Sequence, residues 1–189
     1  MQARDAIGAL KSSLEGAPVI RIGDYHYFVH PVSDGIPALE PELLDKLAEC
    51  GANIIDHRCD RILTVEALGI PVATAISLRM RKPLTIVRKK MYGLPGEVSV
   101  PSSTGYATHT LYLNGVARGD RVAFVDDVLS TGGTITAVAR AVRQAGAILC
   151  DALVVIEKGG NRERVEREIG IPVRSLVKVE IRDGKVRVE

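Results

Sequence analysis

Short apolar runs rich in β-branched residues alternate along the chain with stretches whose apolar positions recur at helical spacing. Residues 61–65 (Arg-Ile-Leu-Thr-Val), 84–87, 122–125 and a run within 147–157 have the length and composition of buried parallel strands. Between them, residues 41–48 begin with a proline and place Leu43, Leu44 and Leu47 on one helical face. Residues 70–78, 134–145 and 163–169 also read as helices, and 1–14 as an amphipathic one. Residues 111–113 look like a further strand, and 173–179 with 185–188 predict a hairpin around Asp183-Gly184. Strand and helix in alternation predict one α/β domain over residues 1–189, with a parallel sheet flanked by helices.

Candidate chemistry concentrates where the 122–125 strand meets the 134–145 helix. The connecting residues are Asp126-Asp127-Val128-Leu129-Ser130-Thr131-Gly132-Gly133-Thr134. At such a turn, free N–H groups and the helix dipole attract an anion, and glycines let it approach without meeting a Cβ. Ser130, Thr131 and Thr134 add hydroxyl donors. Asp126 and Asp127 would repel a bare phosphate, so the ligand must also bring hydroxyl donors or a hydrated Mg²⁺ to meet them. A phosphate at one end and a diol at the other describe a ribose 5-phosphate. The plainer alternative is a capped turn with Ser130 or Thr131 at the N-cap, which leaves the acidic pair and both glycines unaccounted for.

In an open parallel sheet, ligands sit beyond the carboxyl ends of the strands, so neighbouring turns become candidates. The turn Val65-Glu66-Ala67-Leu68-Gly69 could present backbone N–H groups to an anion. Arg88-Lys89-Lys90 places three cations at a strand end, where pyrophosphate contact is favoured over a solvated charge run. Residues 93–110 are rich in Gly, Pro, Ser and Thr with weak periodicity, which predicts a long loop, either disordered or a functional lid.

Composition narrows the class further. A chain of 189 residues suits one domain with a sizeable core, and its net charge of +2 with dispersed cations demands no polyanionic partner. Nucleic acid is therefore not an expected partner. The three cysteines show no metal-ligand spacing and read as buried thiols of a reducing compartment. With no signal peptide or membrane span visible, a cytoplasmic location and no membrane partner are expected.

The thirteen residues 122–134 resemble the 5-phosphoribosyl 1-pyrophosphate (PRPP) motif of the type I phosphoribosyltransferases: four apolar residues, an acidic pair, then Ser-Thr-Gly-Gly-Thr. Residues 27–34, 64–70, 87–90 and 155–158 look like further segments of purine phosphoribosyltransferases, so the resemblance covers most of the chain. As a set they are similar to archaeal hypoxanthine/guanine enzymes. Leu68 stands where adenine enzymes carry arginine.

The resemblance implies the type I phosphoribosyltransferase fold, with a small hood contributed by about residues 18–40 and the C-terminal hairpin. It implies purine salvage, with PRPP and a purine base as substrates, Mg²⁺ carried by PRPP and reaching Asp126 or Asp127 through water, and a homodimer. PRPP would be held by Glu66, Ala67, Arg88, Lys89, Asp126, Asp127 and Ser130, Thr131, Gly132, Gly133 and Thr134. Asp126 and Asp127 would be catalytic. The base would meet Val29 and Lys158, whose ammonium, having only donors, complements the O6 of a 6-oxopurine. Tyr25, Tyr27 and Phe28 would cover the purine or form hood core. Ser102, Ser103, Thr104, Gly105 and Tyr106 would be the flap tip. With no acidic residue there, His109 and Tyr106 are candidates for handling the base proton. Adenine or xanthine as acceptor, and a PRPP- or purine-sensing transcription regulator, remain the alternatives.

Overall fold

The computed structural model describes residues 2–103, 105 and 107–189, with side chains from residue 7 onward. Thr104 and Tyr106, two residues of the expected flap tip, lie outside the described residues.

The central sheet has six strands: β3 (Arg61–Val65), β4 (Leu84–Val87), β7 (Arg121–Leu129), β8 (Ile148–Lys158), β9 (Arg174–Arg182) and β10 (Lys185–Val188), in the order β10-β9-β8-β7-β3-β4. All pairs are parallel except β9 with β10. Both faces are covered, as a parallel sheet requires. On one face, α1 (Gln2–Leu14), α3 (Pro41–Ile54) and α4 (Gly69–Met80) bury Leu10, Leu14, Leu47, Val72 and Ile76 against Ile62, Ala123 and Leu153. On the other, α5 (Gly133–Gln144) and α6 (Arg162–Ile169) bury Ile135, Val138, Val142 and Val165 against Leu63, Phe124 and Val154.

Two hairpins stand over the carboxyl ends of the strands. β1 (Val19–Ile22) and β2 (Tyr25–Phe28) form the first, followed by the short helix α2 (Pro31–Asp34). His30 caps that helix: its Nδ1 accepts the Val32 N–H at 3.2 Å, and its Nε2 pairs with Ser13 Oγ at 3.0 Å, tying the hood to α1. Burial holds the imidazole pKa down to about 4 despite the nearby Asp34 carboxylate.

The second hairpin, β5 (Val98–Ser103) with β6 (Thr108–Leu113), occupies the stretch whose weak periodicity predicts a loop. The two strands are held in place because Val100, Leu111 and Leu113 are buried with the α5 side of the core, and because Arg88 and Tyr112 exchange backbone hydrogen bonds at 3.0 and 2.7 Å. The C-terminal hairpin, expected in the hood, instead extends the main sheet. β9 has a parallel partner in β8, and Val177, Val179 and Val186 join the main core, so burial favours the sheet edge.

Candidate active site

The strand order reverses direction between β3 and β7, which run side by side, while their chain successors β4 and β8 lie on opposite sides. Crevices at such switch points are where open α/β sheets hold ligands. A cavity of about 260 Å³ lies there.

Its wall gathers residues distant in sequence: Tyr25 and Asp34 from the hood, Glu66 and Ala67 after β3, Lys89 after β4, Asp126 and Asp127 on β7, and Lys158 ending β8. Ser130 through Thr134, Ser102 and Gly105 are further sequence-predicted residues found in the lining. Val29, Arg88 and Ser103 stand outside it. The Val29 N–H donates to Pro18 O at 2.8 Å, and Arg88 Nε donates to Glu66 Oε2 at 2.7 Å.

β7 runs past the apolar run and carries the acidic pair itself, Asp126 pairing in register with Val154. Asp126 is therefore buried and Asp127 half-buried. Burial is the largest influence on both carboxyls and pushes their pKa values up, and the Asp127 charge adds to the effect on Asp126. Space around Asp126 is tight, for a Cβ on Gly69 would sit 2.4 Å from its Oδ1.

The turn after β7 delivers its backbone to the cavity with help from α6. Asn161 Nδ2 donates to Ser130 O at 3.0 Å, and Arg164 Nη2 donates to Thr131 O. With these carbonyls engaged on the outer side, the following N–H groups and the α5 N-terminus are available to an anion. Gly132 has a φ of 80°, and a Cβ there would meet Val165 Cγ2 at 2.2 Å. A Cβ on Gly133 would lie 1.6 Å from Ser103 O, so this glycine lets the β5–β6 hairpin close directly onto the cradle.

On the β3 side, the Glu66–Ala67 peptide is cis. Burial works to raise the Glu66 pKa, but the Lys89 N–H and the Arg88 guanidinium hold it below the usual carboxylate range. The turn is thereby fastened to the cationic strand end, leaving the Lys89 side chain facing the cavity.

Across the cavity, the Lys158 ammonium donates to His26 O and lies 3.7 Å from the centroid of the Tyr25 ring. Sequence reasoning left the hood aromatics open between ligand cover and core. Tyr25 and Tyr27 are half-buried at the cavity, whereas Phe28 is buried with the core and also reaches the lining. Ser33 and Asp34 were missed as lining residues, whereas Leu68, in the turn 65–69 offered by the sequence as an anion contact, is in the lining. Asp34 accepts from the Tyr27 hydroxyl and Ser33 Oγ, each at 2.7 Å, a link invisible without the hood's tertiary path. His109 is in the lining, exposed, on β6.

Residues 38–176 match the model of the phosphoribosyl transferase domain. This chain belongs to the phosphoribosyltransferase family. Among curated phosphoribosyltransferases, the hypoxanthine/guanine phosphoribosyltransferase of Methanothrix thermoacetophila is 52% identical over 95% of this chain and 95% of its own length. That of Methanosalsum zhilinae is 51% identical over 95% and 94%. Among solved structures, the adenine phosphoribosyltransferase of Thermoanaerobacter pseudethanolicus superposes with a TM-score of 0.74 at 25% identity, covering 91% of this chain and 99% of its own. The Trypanosoma brucei adenine enzyme, solved with AMP, pyrophosphate and ribose-5-phosphate, shares the fold with a TM-score of 0.74 at 18% identity over 92% and 79%. The type I phosphoribosyltransferase fold and a role in purine salvage by phosphoribosyl transfer from PRPP follow from this membership.

Proposed function

We propose that this phosphoribosyltransferase transfers the 5-phosphoribosyl group of PRPP to N9 of hypoxanthine or guanine, giving IMP or GMP and pyrophosphate. The observation that carries the reading is a single cavity joining an acidic pair, a glycine- and hydroxyl-rich cradle and a lysine. The names of the full-length relatives support the same bases.

In the reaction, the bond from C1 to the pyrophosphate oxygen breaks as N9 forms its bond to C1 and gives up its proton to water, and positive charge grows on the sugar on the way. Asp126 and Asp127 accept hydrogen bonds from the ribose hydroxyls and place negative charge near the cationic carbon. Ser130 to Thr134 hold the 5-phosphate, and this remote binding energy aligns C1 for attack. Lys89 and the Glu66-Ala67 turn face the departing pyrophosphate, with Arg88 holding Glu66 in place. Lys158 donates to the base O6. The hairpin ending at Ser102 and Gly105 keeps water from the reacting carbon.

Asp126 and Asp127 would meet a Mg²⁺ carried by PRPP through water. When bound with PRPP, the cation would neutralise pyrophosphate oxygens. A homodimer is supported by exposed Met91, Tyr92 and Leu94 on one segment. A cytoplasmic location is supported by three free thiols, the half-buried Cys150 being pushed up to about 11 by burial. No helix among the described residues is long and apolar enough to cross a membrane.

The test is to incubate the protein with PRPP, Mg²⁺ and hypoxanthine and quantify both products. Equimolar IMP and pyrophosphate are expected. PRPP binding without nucleotide formation from any purine would overturn the reading and favour a sensor.

A further inference from the structure

Tyr25 meets the phosphate cradle, the lysine and the flap hairpin at once. Its hydroxyl lies 2.7 Å from Ser130 Oγ, the first hydroxyl of the cradle. Its ring lies 3.7 Å from the Lys158 ammonium, which also donates to His26 O on the same strand. Gly105 packs on the other reachable part of the ring, where a Cβ would come within 2.5 Å of Cδ2 and Cε2. The cradle follows β7 and Lys158 ends β8, and the hood bridges them through this side chain.

Hydroxyl chemistry gives the bridge a direction. Each hydroxyl has one proton to donate, so with the cradle empty either Tyr25 or Ser130 can be the donor. Once a phosphate oxygen accepts the Ser130 proton, Tyr25 must donate to Ser130 Oγ. The resulting chain, Tyr25 O–H to Ser130 O–H to phosphate, polarises each member and fixes the phenol in one orientation. The ring then holds the Lys158 head against His26 O. An ammonium carries three N–H donors, and the carbonyl takes one, so Lys158 is positioned with donors to offer an incoming oxygen.

We propose that Tyr25 is a positioning residue that couples the 5-phosphate cradle to base recognition at Lys158, so that a bound phosphate tightens purine binding. This rests on the reading of the cavity as a PRPP and 6-oxopurine site. Coupling of this kind is reciprocal, so the base must tighten phosphate binding by the same factor.

Calorimetric titration of hypoxanthine into the full chain, with and without saturating ribose 5-phosphate, measures that factor without chemistry. The wild type is expected to show tightening of about 5-fold, the size of one hydrogen bond's net contribution. Tyr25→Phe keeps the ring and removes the donor, and should bring the factor to about 1. Ser130→Ala, which removes the other end, should do the same, and the double variant should lose nothing more. A merely structural Tyr25 would shift each affinity and leave the factor intact. No coupling in the wild type, or wild-type coupling in Tyr25→Phe, would overturn the proposal. Pyrophosphate release by the wild type separates the two failures: if no purine supports it, the functional reading has failed, and if one does, only the coupling has.

Discussion

Asp126 and Asp127 meet different demands in the empty and the occupied site. In the empty site burial pushes the pKa values of both carboxyls up. In the proposed reaction they would accept hydrogen bonds from the ribose hydroxyls. Asp127→Asn retains shape and one acceptor while removing charge, so it should lower kcat by about 100-fold, with PRPP affinity changed far less. Equal losses in both would reject an electrostatic role.

The same pair bears on stability. A carboxyl whose folded pKa is raised contributes stability below its unfolded value near 3.8 and loses it as pH rises through the folded value. His30 runs the other way. Its folded value of about 4 lies below the ordinary 6.5, so its contribution is present above 6.5 and is lost as pH falls toward 4. Asp126→Asn deletes the first slope and keeps the second. The ligand-free variant should therefore melt a few degrees higher than the wild type at pH 7 and lose more stability on going from pH 7 to pH 4. Thermal melts at several pH values check this, and parallel curves for the two proteins would contradict it.

At the scale of elements, the strongest local signals were legible. Residues 61–65 and 84–87 coincide with β3 and β4, and residues 130–134 sit at the strand-to-helix turn that their glycines and hydroxyls indicate. Elsewhere, tertiary context extends the local pattern. Helix 41–48 continues to Ile54 because Gly51 must be small: a Cβ there would lie 2.4 Å from Ile76 Cδ1 on α4, so a poor helix former is retained for close packing. β5 was illegible because its Pro101 and serines lack strand propensity, and its pairing with β6 and burial against α5 supply what propensity does not. Lys158 was singled out as a candidate base contact only through resemblance, and its carbonyl and ring partners depend on the fold of the hood.

The contact between Gly133 and Ser103 O makes the hairpin and the cradle one unit. Gly133→Ala puts a methyl group into a backbone carbonyl that cannot rotate away. The hairpin must shift, so kcat should fall at least about 10-fold through exposure of the reacting carbon to water. The accompanying signature is hydrolysis of PRPP to ribose 5-phosphate outpacing nucleotide formation. An unchanged ratio of hydrolysis to transfer would show that the hairpin does not seal the site.

Across the whole molecule, the sheet order explains why residues spread from Tyr25 to Lys158 meet at one place. The reversal between β3 and β7 opens the crevice, and the strands on either side deliver Lys89 and Lys158 to its edges. The hood spans it from above, moored to α1 through the neutral His30 and Ser13. Cation on one edge, donor on the other and an acidic pair in the middle are the arrangement on which the proposed order of pyrophosphate, sugar and base along the cavity rests. The choice of base is the claim on which this arrangement depends most. Its direct measurement is pyrophosphate release with PRPP and Mg²⁺, offering hypoxanthine, guanine, xanthine and adenine in parallel. The account predicts turnover with hypoxanthine and guanine at least about 100-fold more efficient than with adenine, whose amino group cannot accept from Lys158; efficient turnover with adenine alone would contradict it.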